Sequence, residues 1–125
     1  MLIVGLGGFI GAVGRYKLGG WVLHHTVDWR FPLSTFMVNL IGCFVIGVLA
    51  GLGTRQHIFS PEIRLLLFPG VLGGFTTFSA FGYETFFLGQ RGEWHIALAY
   101  VASSVVCGLG LVWVGFKLAM LRAAV

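Results

Sequence analysis

Long apolar stretches separated by short polar connectors organise this sequence. Residues 2–23, 33–52, 65–88 and 96–121 are each near or above the roughly 20 residues that a helix needs to cross the hydrocarbon core of a bilayer. Between them lie residues 24–32 with Asp28 and Arg30, residues 53–64 with Ser60, Pro61 and Glu62 as a helix start, and residues 89–95 with Arg91 and Glu93. Connectors this short leave no room for a soluble domain. The pattern predicts a single all-α membrane domain over residues 1–125, built of four transmembrane helices.

The third stretch predicts its own interruption. At its centre, Gly73-Gly74-Phe75-Thr76-Thr77-Phe78-Ser79-Ala80-Phe81-Gly82 sets two glycines before two β-branched threonines and a serine. These are poor helix formers, and their hydroxyls compete with the helical ladder for backbone partners. Backbone groups freed at midplane depth are tolerated only against a cavity, an ion or another protein segment, so a helix broken there marks an ion or substrate site. The structural alternative is a glycine-rich crossing point with its hydroxyls bonded back to their own helix. Gly7 and Gly11, Gly47 and Gly51, and Gly70 and Gly74 each fall one turn apart and predict close helix approach, although glycine is common in membrane helices in any case.

Composition agrees with a lipid-facing exterior. Of the 125 residues 58% are hydrophobic and only 10% charged, too few charges to cover a soluble surface. The net charge of +4 is spread out, with no Lys/Arg cluster able to follow a phosphate backbone, so nucleic acid is not an expected partner. Cys43 and Cys107 lie inside apolar runs and read as small packing residues, and His24, His25, His57 and His95 lack ligand spacing. A cleavable signal peptide would need positive charge ahead of its apolar core, and here Arg15 and Lys17 come after that core, so the first helix is expected to be retained. If the chain alternates across the bilayer, Arg55, Arg64, Lys117 and Arg122 face one side and Arg15, Lys17, Arg30 and Arg91 the other. That even split specifies orientation poorly, and insertion both ways permits an antiparallel homodimer; insertion fixed by another factor is the alternative. Four helices enclose little aqueous space, so oligomerisation is expected either way.

Several side chains in the spans carry possible chemistry. Phe78 and Phe81 share a helical face, and the positive edges of their rings suit a small anion, although such pairs usually pack. Asn39, the amide inside the second span, needs a buried partner, either a permeating ion or a neighbouring helix. Tyr100, Ser104 and Gly108 form a stripe with two hydroxyls, a track for an ion unless Ser104 bonds to its own helix. Arg15 lies too deep for easy snorkelling and would draw anions to a cavity, while Lys17 and Glu84 read as snorkelling or mouth-lining groups.

The Gly-Gly-Phe-Thr-Thr-Phe-Ser-x-Phe run, Asn39 with Gly42, Gly11-Ala12-x-Gly14-Arg15-Tyr16 and the four-span layout together resemble the CrcB/Fluc fluoride channels along essentially the whole chain. The resemblance implies a channel and not an enzyme, a dual-topology antiparallel homodimer in the bacterial inner membrane. Two pores in it let fluoride leave the cytoplasm by passive electrodiffusion. Phe78 and Phe81 would line the pores, Asn39 would donate to fluoride, and Ser79, Tyr100 and Ser104 would form the polar wall. Arg15 would face a vestibule and Glu84 a pore mouth, and the carbonyls of Gly73 and Thr76 from both chains would hold a structural sodium ion. Gly108 stands where members of the family often carry a hydroxyl, so water or backbone substitutes there or conduction is slower. A small proton-coupled drug exporter would need a carboxylate deep in a span, and a scaffold subunit would leave the broken helix without a purpose.

Overall fold

A computed structural model describes residues 1–122, which are helical almost throughout, with no strand among them. Helix α1 covers Leu2–His25, α2 Leu33–Gln56, α3 Pro61–Leu65, α4 Gly73–Phe75, α5 Phe78–Gln90 and α6 Trp94–Arg122. Between α3 and α4 the chain winds as a π-helix over Leu66–Leu72. Three helical segments are long and apolar enough to cross a membrane: Leu33–Gln56, Pro61–Gln90 taken through its interruption, and Trp94–Arg122. Helix α1 has 24 residues but is not among them, because Arg15, Lys17 and its many glycines dilute its apolar character.

Helix ends follow local chemistry more than the ends of the apolar runs. The α3 helix starts at Pro61, where Ser60 Oγ accepts from the Ile63 N–H at 3.3 Å, Pro61 fills the first turn and Glu62 complements the helix dipole. At the other end of the chain, α6 has 29 residues and spans about 43 Å at 1.5 Å per residue, beyond the ~30 Å of hydrocarbon. The π-helical stretch surrounds Pro69, which lacks an N–H and would press its ring on the carbonyl four residues back. The wider turn absorbs that conflict without ending the segment.

Glycine sets the helix spacing. A Cβ on Gly7 or Gly11 would run into the backbone of the π-helical stretch, and one on Gly74 into the backbone at Gly8. On the other side of the molecule, Gly47 and Gly51 of α2 lie against the α6 backbone at Val112 and Phe116, and Gly115 of α6 against the Phe44 carbonyl. The three glycine pairs thus all lie at helix crossings, where close approach brings dispersion contacts that larger residues would prevent. The buried core is small. Leu88, Ala97 and Tyr100 are its centre near one end, with Phe31, Phe36, Phe81 and Ile96 packed around them. Large apolar side chains such as Phe9, Leu109 and Trp113 face outward, as a lipid-facing surface requires.

Candidate functional site

The helical ladder stops at Thr76 and Thr77, whose backbones are extended (φ −82°, ψ 157° and φ −148°, ψ 116°). Each threonine hydroxyl takes a local backbone partner. Thr76 Oγ1 donates back to the Leu72 carbonyl at 2.8 Å and closes the incoming helix. Thr77 Oγ1 accepts from the Ala80 N–H at 3.2 Å and caps the outgoing one. The break therefore falls within the Gly73–Gly82 run.

Asn39 on α2 satisfies the backbone that the break frees. Its Oδ1 accepts from the Thr77 N–H at 2.8 Å, and its Nδ2 donates to the Thr77 carbonyl at 3.0 Å. One amide thus replaces the two ladder bonds that Thr77 has lost, which is the interhelical role weighed above. A primary amide carries two N–H donors, so one remains for another acceptor. Among the described residues no backbone N–H donates to the Gly73 or Thr76 carbonyl.

Beside the break lies a cleft of about 440 Å³ bordered by Asn39, Thr76, Thr77, Phe78, Phe81 and Ser104. Phe78 is 83% exposed at the start of α5, and its ring lies 5.7 Å from that of Phe81. Phe81 in turn lies 5.0 Å from Tyr100, which is fully buried. Ser104 faces the cleft, while the bond back to the helix is made by its neighbour Ser103, to the Ala99 carbonyl at 2.6 Å. Ser79 lies outside the cleft lining, exposed and 3.3 Å from Thr77 Oγ1. Gly108 is buried, and a Cβ there would reach Cys43 Sγ at 3.4 Å, so the thiol occupies the space next to the end of the stripe.

Glu84 is half-buried and doubly held. Tyr100 donates its hydroxyl to Oε2 at 2.8 Å, and Thr35 donates to Oε1 at 2.6 Å. Thr35 was not singled out from the sequence, although it stands one turn before Asn39 on the same face of α2. Arg15 is half-buried in α1, and among the described residues no carboxylate pairs with it. Beside the Glu84 carboxylate and the Gly73 and Thr76 carbonyls, the cleft and its surroundings hold donors, an amide N–H and hydroxyls, together with the Phe78 and Phe81 rings.

Residues 2–116 match the family model described as CrcB-like protein, Camphor Resistance. A protein of Methylobacillus flagellatus named fluoride-specific ion channel FluC is 56% identical over 118 residues, covering 94% of this chain and 92% of that one. Proteins of the same name from Rhizobium etli and Oceanobacillus iheyensis are 48% and 43% identical over 124 and 120 residues, covering 99% and 96% of this chain and 97% and 91% of theirs. With the broken helix, its amide clamp and the paired phenylalanines all falling inside the matched residues, this chain belongs to the CrcB family.

Proposed function

We propose that the chain is a fluoride-selective channel that passes the ion down its electrochemical gradient. The observation that carries this reading is the cleft at the break, where the Asn39 amide, the Ser104 hydroxyl and the Phe78 and Phe81 rings meet with no Lys or Arg side chain in the lining. Fluoride is small, strongly hydrated and a strong hydrogen-bond acceptor, so a path for it must replace its hydration shell. The free Asn39 N–H, the Ser104 hydroxyl and the edges of Phe78 and Phe81 each supply part of that replacement, and a narrow packed path disfavours larger anions. The unpaired Arg15 guanidinium raises the local anion concentration at an aqueous vestibule. Glu84 marks the far end, where its two bound donors keep its charge off the path. The name that the relatives carry supports the choice of ion.

In this reading α1 is a fourth span, the break lies at midplane and two antiparallel copies assemble. The exposed stripe of Phe78, Gly82 and Phe86 on α5 supports a second copy there, because it starts at Phe78, which borders the cleft. The carbonyls of Gly73 and Thr76 fit a sodium ion by their chemistry, being hard oxygen donors without backbone partners. A cation held by them in both copies would supply fixed positive charge beside the anion paths. Exchanging sodium for a bulky organic cation during purification is expected to lower flux or dimer stability.

Efflux from proteoliposomes tests the function. Purified protein is expected to release fluoride far faster than chloride and without an imposed proton gradient, and Phe78→Ile is expected to cut fluoride flux about tenfold, ~1.4 kcal/mol on the barrier. Fluoride release no faster than from empty vesicles would overturn the channel. Release only against a proton gradient would instead favour a coupled exporter working through the half-buried Glu84.

A further inference from the structure

The aromatic contacts at the break continue past the cleft. Ring centroids step from Phe78 to Phe81 at 5.7 Å, from Phe81 to Tyr100 at 5.0 Å and from Tyr100 to Phe31 at 5.3 Å. Phe31 then meets Phe36 at 5.2 Å, and both of its contacts are edge to face. Phe31 belongs to no helix and to no motif of the sequence. It lies in the connector between α1 and α2, half-buried, with its ring turned inward onto the buried core.

The connector is built to hold that ring. The Leu33 N–H donates to the Phe31 carbonyl at 2.8 Å, and Pro32, which follows, fixes its own φ and restricts Phe31 to extended conformations. On the other side, Arg30 pairs with Glu93 at 3.7 Å, and Glu93 directly precedes α6, the helix that carries Tyr100. The second oxygen of Glu93 is buried without a hydrogen-bond partner, so the carboxylate is drawn inward at the start of α6. The connector is thus tied to the start of the helix bearing Tyr100 at the residue next to Phe31.

We propose that Phe31 is a positioning residue for the ion path: its ring wedges Tyr100 so that the phenol stays directed at Glu84. Tyr100 turns about two side-chain torsions, and its hydroxyl keeps the Glu84 bond only while the ring holds one orientation. Phe81 flanks Tyr100 on the cleft side and Phe31 on the connector side, with Thr35 fixing the other Glu84 oxygen. Without the outer ring, Tyr100 gains room to swing, and Glu84 Oε2 loses its donor next to the path while Thr35 still holds Oε1. Loss of an edge-to-face aromatic contact is expected to change flux about two- to tenfold.

The inference rests on the channel reading for its flux test but has a second readout that does not. In protein labelled at the tyrosine Cζ carbon, the Tyr100 resonance reports whether its hydroxyl donates to a carboxylate, and Tyr100→Phe assigns it among the three tyrosines. Phe31→Leu is expected to shift that resonance toward that of an unbonded phenol and Phe31→Tyr to leave it in place. In proteoliposomes, Phe31→Leu is expected to lower fluoride flux about two- to tenfold, with Phe31→Tyr restoring it. In a Tyr100→Phe background, Phe31→Leu is expected to cause no further loss. An unmoved resonance in Phe31→Leu overturns the inference, as does a loss of flux that persists undiminished in the Tyr100→Phe background. Absence of flux from the wild type overturns the channel reading alone, and the resonance then decides the role of Phe31.

Discussion

The α2–α6 pair and the segment from Pro61 to Gln90 use glycine and hydroxyl residues to opposite ends. In the pair, Gly47, Gly51 and Gly115 let two unbroken helices touch backbone to backbone, and the Ser103 hydroxyl bonds back to its own helix. In the segment, Gly73 and Gly74 precede a break, and the Thr77 hydroxyl caps a new helix instead of decorating the old one. Glycine alone therefore does not interrupt a membrane helix. The difference lies in what the neighbouring helix offers. Opposite Thr77 stands Asn39, whose amide replaces both lost bonds, whereas α6 presents Gly47 only with an already satisfied backbone.

Removing Asn39 should break that contrast most severely. Asn39→Ala leaves the Thr77 N–H and carbonyl unpaired at ~1–3 kcal/mol each, and is expected to lower the melting temperature and abolish measurable fluoride flux. A variant that melts and conducts like the wild type would show that the break needs no amide. Gly47→Val tests the other region. Its branched side chain would meet the Val112 backbone and force α2 from α6, an overpacking cost of ~1–3 kcal/mol that should appear as reduced thermal stability. Unchanged melting would mean that the crossing has slack.

Smaller effects sharpen the comparison. Thr77→Val keeps the shape but removes the cap on α5, so about 1 kcal/mol of stability should be lost and Thr77→Ser should recover most of it. Equal melting of all three proteins would assign the start of α5 to Asn39 alone. Gly108→Ser adds a hydroxyl beside Cys43, and because the approach is an ordinary contact, flux is expected to change by less than about threefold. A rise of tenfold or more would identify the missing hydroxyl as the step that limits conduction.

The helices and the break were legible because both are local. Gly73 to Gly82 contains everything that stops one ladder and caps the next, and the glycine pairs announce crossings by spacing alone. The π-helical turn was not legible from an apolar stretch, since Pro69 can kink, end or widen a helix and the apolar pattern around it is the same in each case. Glu84 reads from the sequence as a snorkelling or mouth-lining group, and spacing does not reveal the Tyr100 and Thr35 hydroxyls that hold its carboxylate. Thr35 and Phe31 act through partners 49 and 69 positions away in the chain, distances over which sequence spacing carries no information.

The Asn39 clamp also bears on the order of assembly. Both of its bonds lie within one chain, as do the two threonine hydroxyl bonds beside it. A single copy can therefore enter the bilayer and complete its broken helix before it meets another. If two copies assemble along the exposed α5 stripe as proposed, dilution in lipid should separate them while each keeps its interruption, so that association and the shaping of the break would be distinct events with different dependence on protein density.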